Sequence, residues 1–232
     1  MENQYTRSIA ILGENAIKKL KNKRVAVFGV GGVGGYAVEA LVRMGVGAID
    51  LIDNDTFNVT NINRQLYATH KTLGQYKVDV AAARILEINP DCVVKTHKMF
   101  YLPQNSDLFD LSVYDYAVDA IDTVAAKVEL ARKAEMCGTP LISSMGTGNK
   151  LRPELFEIAD IYKTSVCPLA KVMRTRLKKA GVKKLKVVYS KEMPITLQTS
   201  GDERIVGSVS FVPPVAGMII AGQVINDLLK ED

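Results

Sequence analysis

Residues 29–35 constrain the fold of this chain more than any other feature of its sequence. They read GVGGVGG, which places a G-x-G-x-x-G pattern at Gly29, Gly31 and Gly34. An apolar β-branched run, Arg24–Phe28, comes directly before them, and a helical pattern follows. Glycines allow a strand to turn sharply into a helix and allow the backbone to approach a phosphate, which the free N–H groups of the helix N-terminus then bind. The pattern predicts a strand–loop–helix unit with a nucleotide site.

Short apolar runs alternate with helical patterns through the first half of the chain. The runs cover residues 24–28, 49–53, 92–96, 116–119 and 140–144, and the helical patterns cover residues 32–44, 75–88 and 123–137. This order implies parallel strands joined by helical crossovers, and in such sheets ligands bind beyond the carboxyl ends of the strands. We therefore predict an α/β protein with a doubly wound, mostly parallel, Rossmann-like sheet.

The pattern changes after Lys150. Alternating apolar and polar residues at 151–164 predict antiparallel strands added to the sheet. A basic helix is predicted at 168–180, a strand at 185–189, a mobile polar loop at 192–204, and a strand up to Val212 that is followed by a C-terminal apolar helix ending at Leu229. We expect a single domain over residues 1–232, with a nucleotide-binding half at 1–150 and a substrate-facing half at 151–232.

An uncharged segment at residues 205–226 is long enough to cross a bilayer. Pro213 and Pro214 lie in its middle and would break a spanning helix, so a helix buried in the core or in a subunit interface is the favoured interpretation. The first residues contain no apolar stretch typical of a secretory signal. We expect no stable membrane span and a cytoplasmic location, with peripheral membrane association left open.

The cysteine and histidine content excludes several kinds of site. The chain has 232 residues, of which 47% are hydrophobic and 24% charged, so it can bury a core without disulfides. Its three cysteines, Cys92, Cys137 and Cys167, are too few and too widely spaced for a disulfide framework or paired CxxC zinc motifs, and two histidines are too few for a histidine-based metal site. Cys167 precedes a proline, and we interpret it as a packing residue rather than a nucleophile.

The kind of nucleotide depends on charged residues near the predicted strand ends. Asp53 ends the second run, 24 residues after Gly29, where it would hold the ribose of either NAD or ATP. A triphosphate carries more negative charge than a pyrophosphate and generally requires cationic side chains and a divalent metal. Arg64 and Lys77 supply cations, and Asp122 follows the fourth run, where it could hold magnesium. These residues favour ATP, and an NAD-dependent dehydrogenase or sensor is the alternative.

Five motifs in this order resemble the superfamily of ubiquitin-activating-type enzymes, which includes the adenylyltransferases of the molybdopterin and thiamine pathways. The motifs are residues 29–34, Asp53, residues 61–65, Lys77, and residues 119–122. The resemblance implies that Asp53 binds ribose, that Asn61, Arg64 and Lys77 hold the ATP phosphates, and that Asp122 acts with Mg²⁺. It also implies that Arg7 reaches the phosphates of a partner subunit, so that the active unit is a homodimer. The residues expected to bind ATP are Gly29, Gly31, Gly32, Gly34, Asp53, Asp55, Asn61, Arg64 and Lys77, and the expected catalytic residues are Arg7, Arg64, Lys77 and Asp122.

The second half departs from the adenylyltransferases because it lacks their paired CxxC motifs. Residues 163–174, 207–208 and 213–217 are instead similar to the branch of the superfamily that acts on tRNA and dehydrates threonylcarbamoyladenosine. That resemblance implies ATP-dependent cyclisation of the modified base through an acyl adenylate, and a sulfur-pathway protein related to cysteine desulfurases is a candidate partner. The alternatives are adenylation of the C-terminus of a ubiquitin-like sulfur carrier, or a binding scaffold that retains ATP.

Positive charge is concentrated in one segment of the chain. Residues 161–191 contain ten Lys and Arg but no Asp or Glu, whereas the whole chain has a net charge of +5, so the remainder carries 5 − 10 = −5. Such a segment is typical of a surface that contacts a polyanion, and a solubilising helix face or an acidic protein partner is the alternative. The residues expected to contact tRNA are Lys171, Arg174, Arg176, Lys178, Lys179, Lys183 and Lys184.

Overall fold

The computed structural model describes residues 2–197 and 206–230. The strands are β1 (Arg24–Phe28), β2 (Ala48–Ile52), β3 (Val93–His97), β4 (Tyr116–Asp119), β5 (Leu141–Ser144), β6 (Phe156–Asp160) and β7 (Lys186–Ser190). The helices are α1 (Thr6–Leu12), α2 (Glu14–Lys21), α3 (Gly34–Arg43), α4 (Lys77–Ile88), α5 (Val124–Cys137), α6 (Pro168–Lys179) and α7 (Val212–Leu229).

The seven strands of the described residues belong to one sheet, in the order β3-β2-β1-β4-β5-β7-β6. Neighbouring strands are parallel except for β6 and β7, which are antiparallel. The direction of the strand order reverses between β1 and β4, which is the point where doubly wound sheets bind ligands. The predicted fold class is confirmed.

Helices cover both faces of the central strand β1, which explains why four of its five residues are apolar and buried. In β1, Val25 and Val27 face a core formed with α2, α3, α4 and α7, whereas Ala26 and Phe28 face a second core formed with α5 and α6. All four of these side chains are fully buried. Alternating residues of one strand therefore pack against the helices on both faces of the sheet. The loops at the strand ends are not part of this packing and can form a site.

The predicted antiparallel addition to the sheet is confirmed by β6, which is antiparallel to β7, but two details of the second half are wrong. Residues 151–164 contain one strand, β6, with single 3₁₀ turns at Pro153–Leu155 and Ile161–Lys163 on either side of it. The described residues before Val212, 206–211, form no strand. Of the predicted polar loop, residues 192–197 lie outside helices and strands, and residues 198–204 lie outside the described residues.

Helix α7 begins at Val212, with Pro213 and Pro214 in its first turn. A proline there removes no helical hydrogen bond, because the N–H groups of the first turn have no partner within the helix. Helix α7 packs closely on the start of α3, since a Cβ at Gly217 would lie 2.4 Å from the carbonyl oxygen of Val33. Its 18 residues are apolar enough to cross a membrane by length and composition, and half of them are buried inside the protein. A core helix meets the same criteria, so the absence of a membrane span stays a prediction.

Candidate nucleotide site

A cavity of about 250 Å³ lies beyond the carboxyl ends of β1, β2 and β4. Most of the residues predicted to bind ATP line it, although they come from separate parts of the chain. The predicted residues in its wall are Gly29, Gly31, Gly32, Asp53, Asp55, Arg64, Lys77 and Asp122. The parallel sheet explains this convergence, because every strand that runs in the same direction delivers its following loop to the same edge.

The glycine-rich loop fits against the loop that follows β4. Gly29 has a φ of 90°, and a Cβ there would lie 2.6 Å from the carbonyl oxygen of Ala120. Gly34 begins α3, and a Cβ there would lie 1.8 Å from the carbonyl oxygen of Gly29. Gly34 is buried beneath the loop and is not in the cavity wall. The structure therefore gives it a packing role, while Gly29, Gly31 and Gly32 border the cavity.

Asp53 lies immediately after β2 with its carboxylate held by the backbone. Its two oxygens accept hydrogen bonds from the N–H groups of Val30, at 2.7 Å, and of Asp55, at 2.8 Å. Burial raises the pKa of Asp53 above its ordinary value, although the positive charge of Lys77 and the two N–H donors act in the opposite direction. A carboxylate in this position can accept hydrogen bonds from ribose hydroxyl groups.

Lys77 is the first residue of α4, and only 6% of it is exposed. Its ammonium group lies 2.6 Å from a carboxylate oxygen of Asp55, which is half-exposed. Its backbone N–H also donates to the Asp55 carbonyl oxygen at 3.0 Å. The Asp55 side chain therefore neutralises Lys77 in this structure, and a phosphate group would compete with it for the ammonium.

The segment after β2 holds Arg64 and Asn61 in different ways. Arg64 is half-buried, and its guanidinium donates to the Thr60 carbonyl oxygen at 2.8 Å and to the Asn63 side chain at 2.9 Å. Asn61 is buried outside the cavity wall, and its side-chain oxygen accepts the N–H of Asn58 at 3.1 Å. In this structure Asn61 holds the turn, and Arg64 is the member of the motif that faces the cavity.

Asp122 is exposed in the loop between β4 and α5 and lines the cavity. One of its oxygens accepts a hydrogen bond from the Thr123 hydroxyl at 3.3 Å. The described residues contain no group of three or more His, Cys, Asp or Glu side chains that could hold a metal by themselves. Mg²⁺ is usually bound by one or two carboxylates together with substrate phosphates and water, so a single exposed carboxylate beside the residues predicted to bind phosphate fits this ion.

Gln65 also lines the cavity, although it is not among the residues predicted to bind ATP. It is only 8% exposed, and its side-chain oxygen has no hydrogen-bond partner among the described residues. A Cβ at Gly31 would lie 3.7 Å from its side-chain nitrogen. Its place at the end of the 61–65 motif was the signal that could have identified it. Unpredicted apolar side chains of Met99, Phe100 and Leu102 also line the cavity and suit a planar base.

Arg7 lies apart from this cavity. It is an exposed residue of α1 and does not line the cavity wall of its own chain. A role at the phosphates of a second subunit, which the resemblance implies, stays a prediction.

The basic segment forms a surface on α6 and the turn after it. We call this surface the basic surface; it consists of the exposed residues Lys171, Arg176, Lys178, Lys179, Lys183 and Lys184. Arg174 differs, since it is half-buried and donates to the backbone oxygen and the hydroxyl of Thr164 at 3.0 and 2.5 Å. Arg176 and Lys179 border a groove that also contacts Val124, the first residue of α5. The basic surface therefore approaches the loop that carries Asp122.

Cys167 lies at the start of α6 with its side chain in the second core, and it is 2% exposed. Cys92 is also buried, whereas Cys137 is exposed. The burial of Cys167 agrees with its interpretation as a packing residue.

Comparison with known proteins finds similarity along the whole chain. The sequence model of the ThiF family matches residues 5–231. A tRNA threonylcarbamoyladenosine dehydratase of Bacillus subtilis is 45% identical, over 100% of this chain and 96% of that protein. The solved structure of the Escherichia coli tRNA N6-threonylcarbamoyladenosine dehydratase in complex with ATP is 33% identical and superimposes with a TM-score of 0.89, over 97% of this chain and 93% of that one. An adenylyltransferase and sulfurtransferase of Ogataea parapolymorpha is 34% identical, over 64% of this chain but only 37% of that protein.

Proposed function

Because this chain belongs to the ThiF family, we propose that it is an ATP-dependent tRNA threonylcarbamoyladenosine dehydratase. The observation that carries this function is the nucleotide cavity, in which Asp53, Lys77 and Asp122 meet at the strand ends of a chain that matches such dehydratases over its full length. The E. coli relative, with the same fold, binds ATP.

The reaction follows from the chemistry of the modified base. Threonylcarbamoyladenosine has a free carboxylate, whose oxygen is a poor leaving group. The carboxylate attacks the α-phosphorus of ATP, pyrophosphate leaves, and an acyl adenylate forms. The neighbouring carbamoyl group then attacks the activated carbonyl carbon, a five-membered ring closes with loss of a proton, and AMP leaves with the former carboxylate oxygen. Because the nucleophile is already attached to the substrate, proximity supplies much of the rate without an enzyme thiol.

The cavity residues act mainly by electrostatics. Asp53 holds the ribose through its fixed carboxylate, and Arg64 and Lys77 bind the phosphates on which negative charge is redistributed. The attraction between the buried Lys77 ammonium and a phosphate is stronger here than it would be in water, because the surrounding protein screens charges poorly. Asp122 holds Mg²⁺, which when bound neutralises part of the phosphate charge.

The basic surface is where we place the tRNA. Its exposed ammonium and guanidinium groups suit the phosphate backbone of a nucleic acid, and the surface borders the helix whose N-terminus follows Asp122. A homodimer in which Arg7 reaches the cavity of the other subunit is also part of the proposal, supported by its exposure on α1. A tRNA substrate supports a cytoplasmic location.

A second candidate is adenylation of a ubiquitin-like sulfur carrier. The similarity to the fungal adenylyltransferase and sulfurtransferase favours it. The sequence lacks paired CxxC motifs, and the match covers only 37% of that relative, so we rank it second.

One incubation distinguishes these functions. The protein is mixed with Mg²⁺, ATP and tRNA that carries the threonylcarbamoyl group, and both AMP and the mass of the modified nucleoside are measured. We expect AMP release only with the modified tRNA, together with a nucleoside lighter by one water. Pyrophosphate exchange with a sulfur carrier, but no change in the nucleoside, would support the second candidate. ATP binding without AMP formation in either mixture would reject both enzymes.

A further inference from the structure

Asp119 and Lys127 form an ion pair inside the protein. Asp119 ends β4 and Lys127 lies in the first turn of α5, and the ammonium nitrogen is 2.9 Å from a carboxylate oxygen. Among the residues that the structure describes, this is the one ion pair in which neither side chain has any exposed surface. The hydroxyl of the fully buried Ser143, on the adjacent strand β5, donates to the same carboxylate oxygen at 2.5 Å.

The pair also holds both polar groups of one peptide residue in the loop between β4 and α5. The Ile121 N–H donates to the other carboxylate oxygen of Asp119 at 3.1 Å, and the Ile121 carbonyl oxygen accepts a hydrogen bond from the Lys127 ammonium at 3.1 Å. Ile121 comes directly before Asp122, which faces the cavity. The preceding residue, Ala120, contacts Gly29 of the glycine-rich loop.

Stability alone does not account for this arrangement. Two charges that leave water lose solvation energy that their mutual attraction often fails to recover, and apolar side chains of similar volume fill such spaces as well or better. A buried ion pair with directed hydrogen bonds does, however, fix the atoms that it contacts in a single geometry. Here those atoms belong to the residue that precedes Asp122.

We propose that Asp119, Lys127 and Ser143 form a buried clasp that positions Asp122 for the metal-bound triphosphate. These three residues are positioning residues, since they act through the Ile121 peptide and do not border the cavity. The inference rests on the proposed function, in which Asp122 holds Mg²⁺. Loss of the clasp allows the Ile121 peptide to rotate, so the Asp122 carboxylate spends less time in its binding position. The ribose site at Asp53 is held by other contacts and is unaffected.

The principal test uses the double variant Asp119→Asn/Lys127→Met, which removes both buried charges while keeping similar side-chain volumes. We expect its thermal midpoint to stay close to that of the parent. Amide hydrogen exchange at residues 120–123 becomes faster, and the affinity for Mn²⁺, measured by calorimetry with a non-hydrolysable ATP analogue, falls about tenfold, as for residues that orient metal ligands. The Mg²⁺ concentration for half-maximal AMP release rises by the same factor, and the KM for tRNA is unchanged.

The matched control is Lys133→Met on the same helix. Lys133 pairs with the exposed Asp107 at 2.7 Å, away from the cavity, and its removal leaves metal affinity and loop exchange at the parental values. Ser143→Ala is a milder variant that removes one hydrogen bond to Asp119 and keeps both charges. We expect it to shift metal affinity in the same direction as the double variant by a smaller factor, and it tests the clasp if the double variant does not fold.

Asp122→Ala separates this inference from the proposed function. If Asp122→Ala lowers Mn²⁺ affinity while the folded double variant and Ser143→Ala leave it unchanged, the clasp is rejected and the metal role of Asp122 stands. If Asp122→Ala itself leaves Mn²⁺ affinity unchanged, the metal role is wrong and the clasp proposal falls with it.

Discussion

The ammonium group of Lys77 lies 2.6 Å from the carboxylate of Asp55 at the edge of the nucleotide cavity. Lys77 is almost completely buried, whereas the Asp55 side chain is half-exposed. The ion pair therefore compensates the charge of a buried ammonium group, and in the proposed function the exposed Asp55 carboxylate moves away when a nucleotide binds. This exchange of a carboxylate for a phosphate underlies the first prediction.

Lys77→Ala is expected to lower kcat/KM for AMP release by about 10²-fold, because one preorganised charge on the phosphates is lost. The fold should survive, since the remaining Asp55 carboxylate is open to solvent. Lys71→Ala is the control, because Lys71 is exposed just before α4 and does not line the cavity. Equal rates for both variants in a single-turnover assay with modified tRNA would contradict the role given to Lys77.

Replacement of two lysines in the basic surface should weaken tRNA binding without changing the chemical step. For Lys178→Glu/Lys179→Glu we expect the KM for tRNA to rise at least about tenfold and the slope of log affinity against log salt to become shallower by about 2. The KM for ATP should be unchanged. Lys18→Glu/Lys95→Glu, with the same change of charge on α2 and β3, is the control; equal losses in both would mean that net charge alone matters.

Gly34 and Gly222 provide a matched pair of helical glycines. A Cβ at Gly34 would lie 1.8 Å from the Gly29 carbonyl oxygen, whereas a Cβ at Gly222 meets nothing within 4 Å. Gly34→Ala should lower the free energy of unfolding by about 3 kcal/mol and weaken ATP binding, because the loop must shift. Gly222→Ala should raise it by about 0.5 kcal/mol through helix propensity. Denaturant titrations that give the same sign for both would refute the packing argument.

Asp227 gives a pH-dependent contribution to stability. Burial acts to raise its pKa, but hydrogen bonds from Lys186, Lys230 and Tyr116 outweigh burial and lower the pKa to about 2. Because the folded pKa lies below the ordinary value of 3.8, the stabilisation is present above pH 3.8 and is lost as the pH falls towards 2.

Asp227→Asn should therefore lower the free energy of unfolding by about 1 kcal/mol at pH 7, a modest value because partial exposure screens the charges. Urea titrations of both proteins should converge as the pH falls below about 4. Asp91→Asn, at an exposed turn, is the control. A difference between parent and Asp227→Asn that stays constant down to pH 3 would show that the carboxylate charge is not the cause.

Local patterns predicted the first half of the fold well, because they reflect short-range constraints. Strand β1 has the predicted bounds, and β2 and β3 are each displaced by one residue from their predicted positions. The prediction failed where tertiary contacts decide, as at residues 151–164, whose alternation is that of one edge strand and two turns. Residues 206–211 are uncharged but find no strand partner in the described part of the sheet.

Most of the residues selected from the sequence to bind ATP line the candidate nucleotide cavity, but their contacts were not predicted. Asp53 and Asp122 are visible in the sequence because each closely follows an apolar strand, whereas Arg64 and Lys77 lie further along the chain and are identified by their positive charge and by the family motifs. The burial of Asn61 away from the cavity depends on a turn that only the folded segment shows. Gln65 was missed because an amide carries no charge, and because only the folded structure shows that its side-chain oxygen is buried without a hydrogen-bond partner among the described residues.

By itself, the sequence determined that a glycine-rich turn joins a strand to a helix and that basic residues gather in one segment, since both depend only on neighbours along the chain. The tertiary structure decided which distant groups meet. Asp119, Lys127 and Ser143 are buried together only when two strands and a helix pack against one another. Their ion pair and hydrogen bonds then fix a single geometry, because these interactions are stronger in the interior than in water.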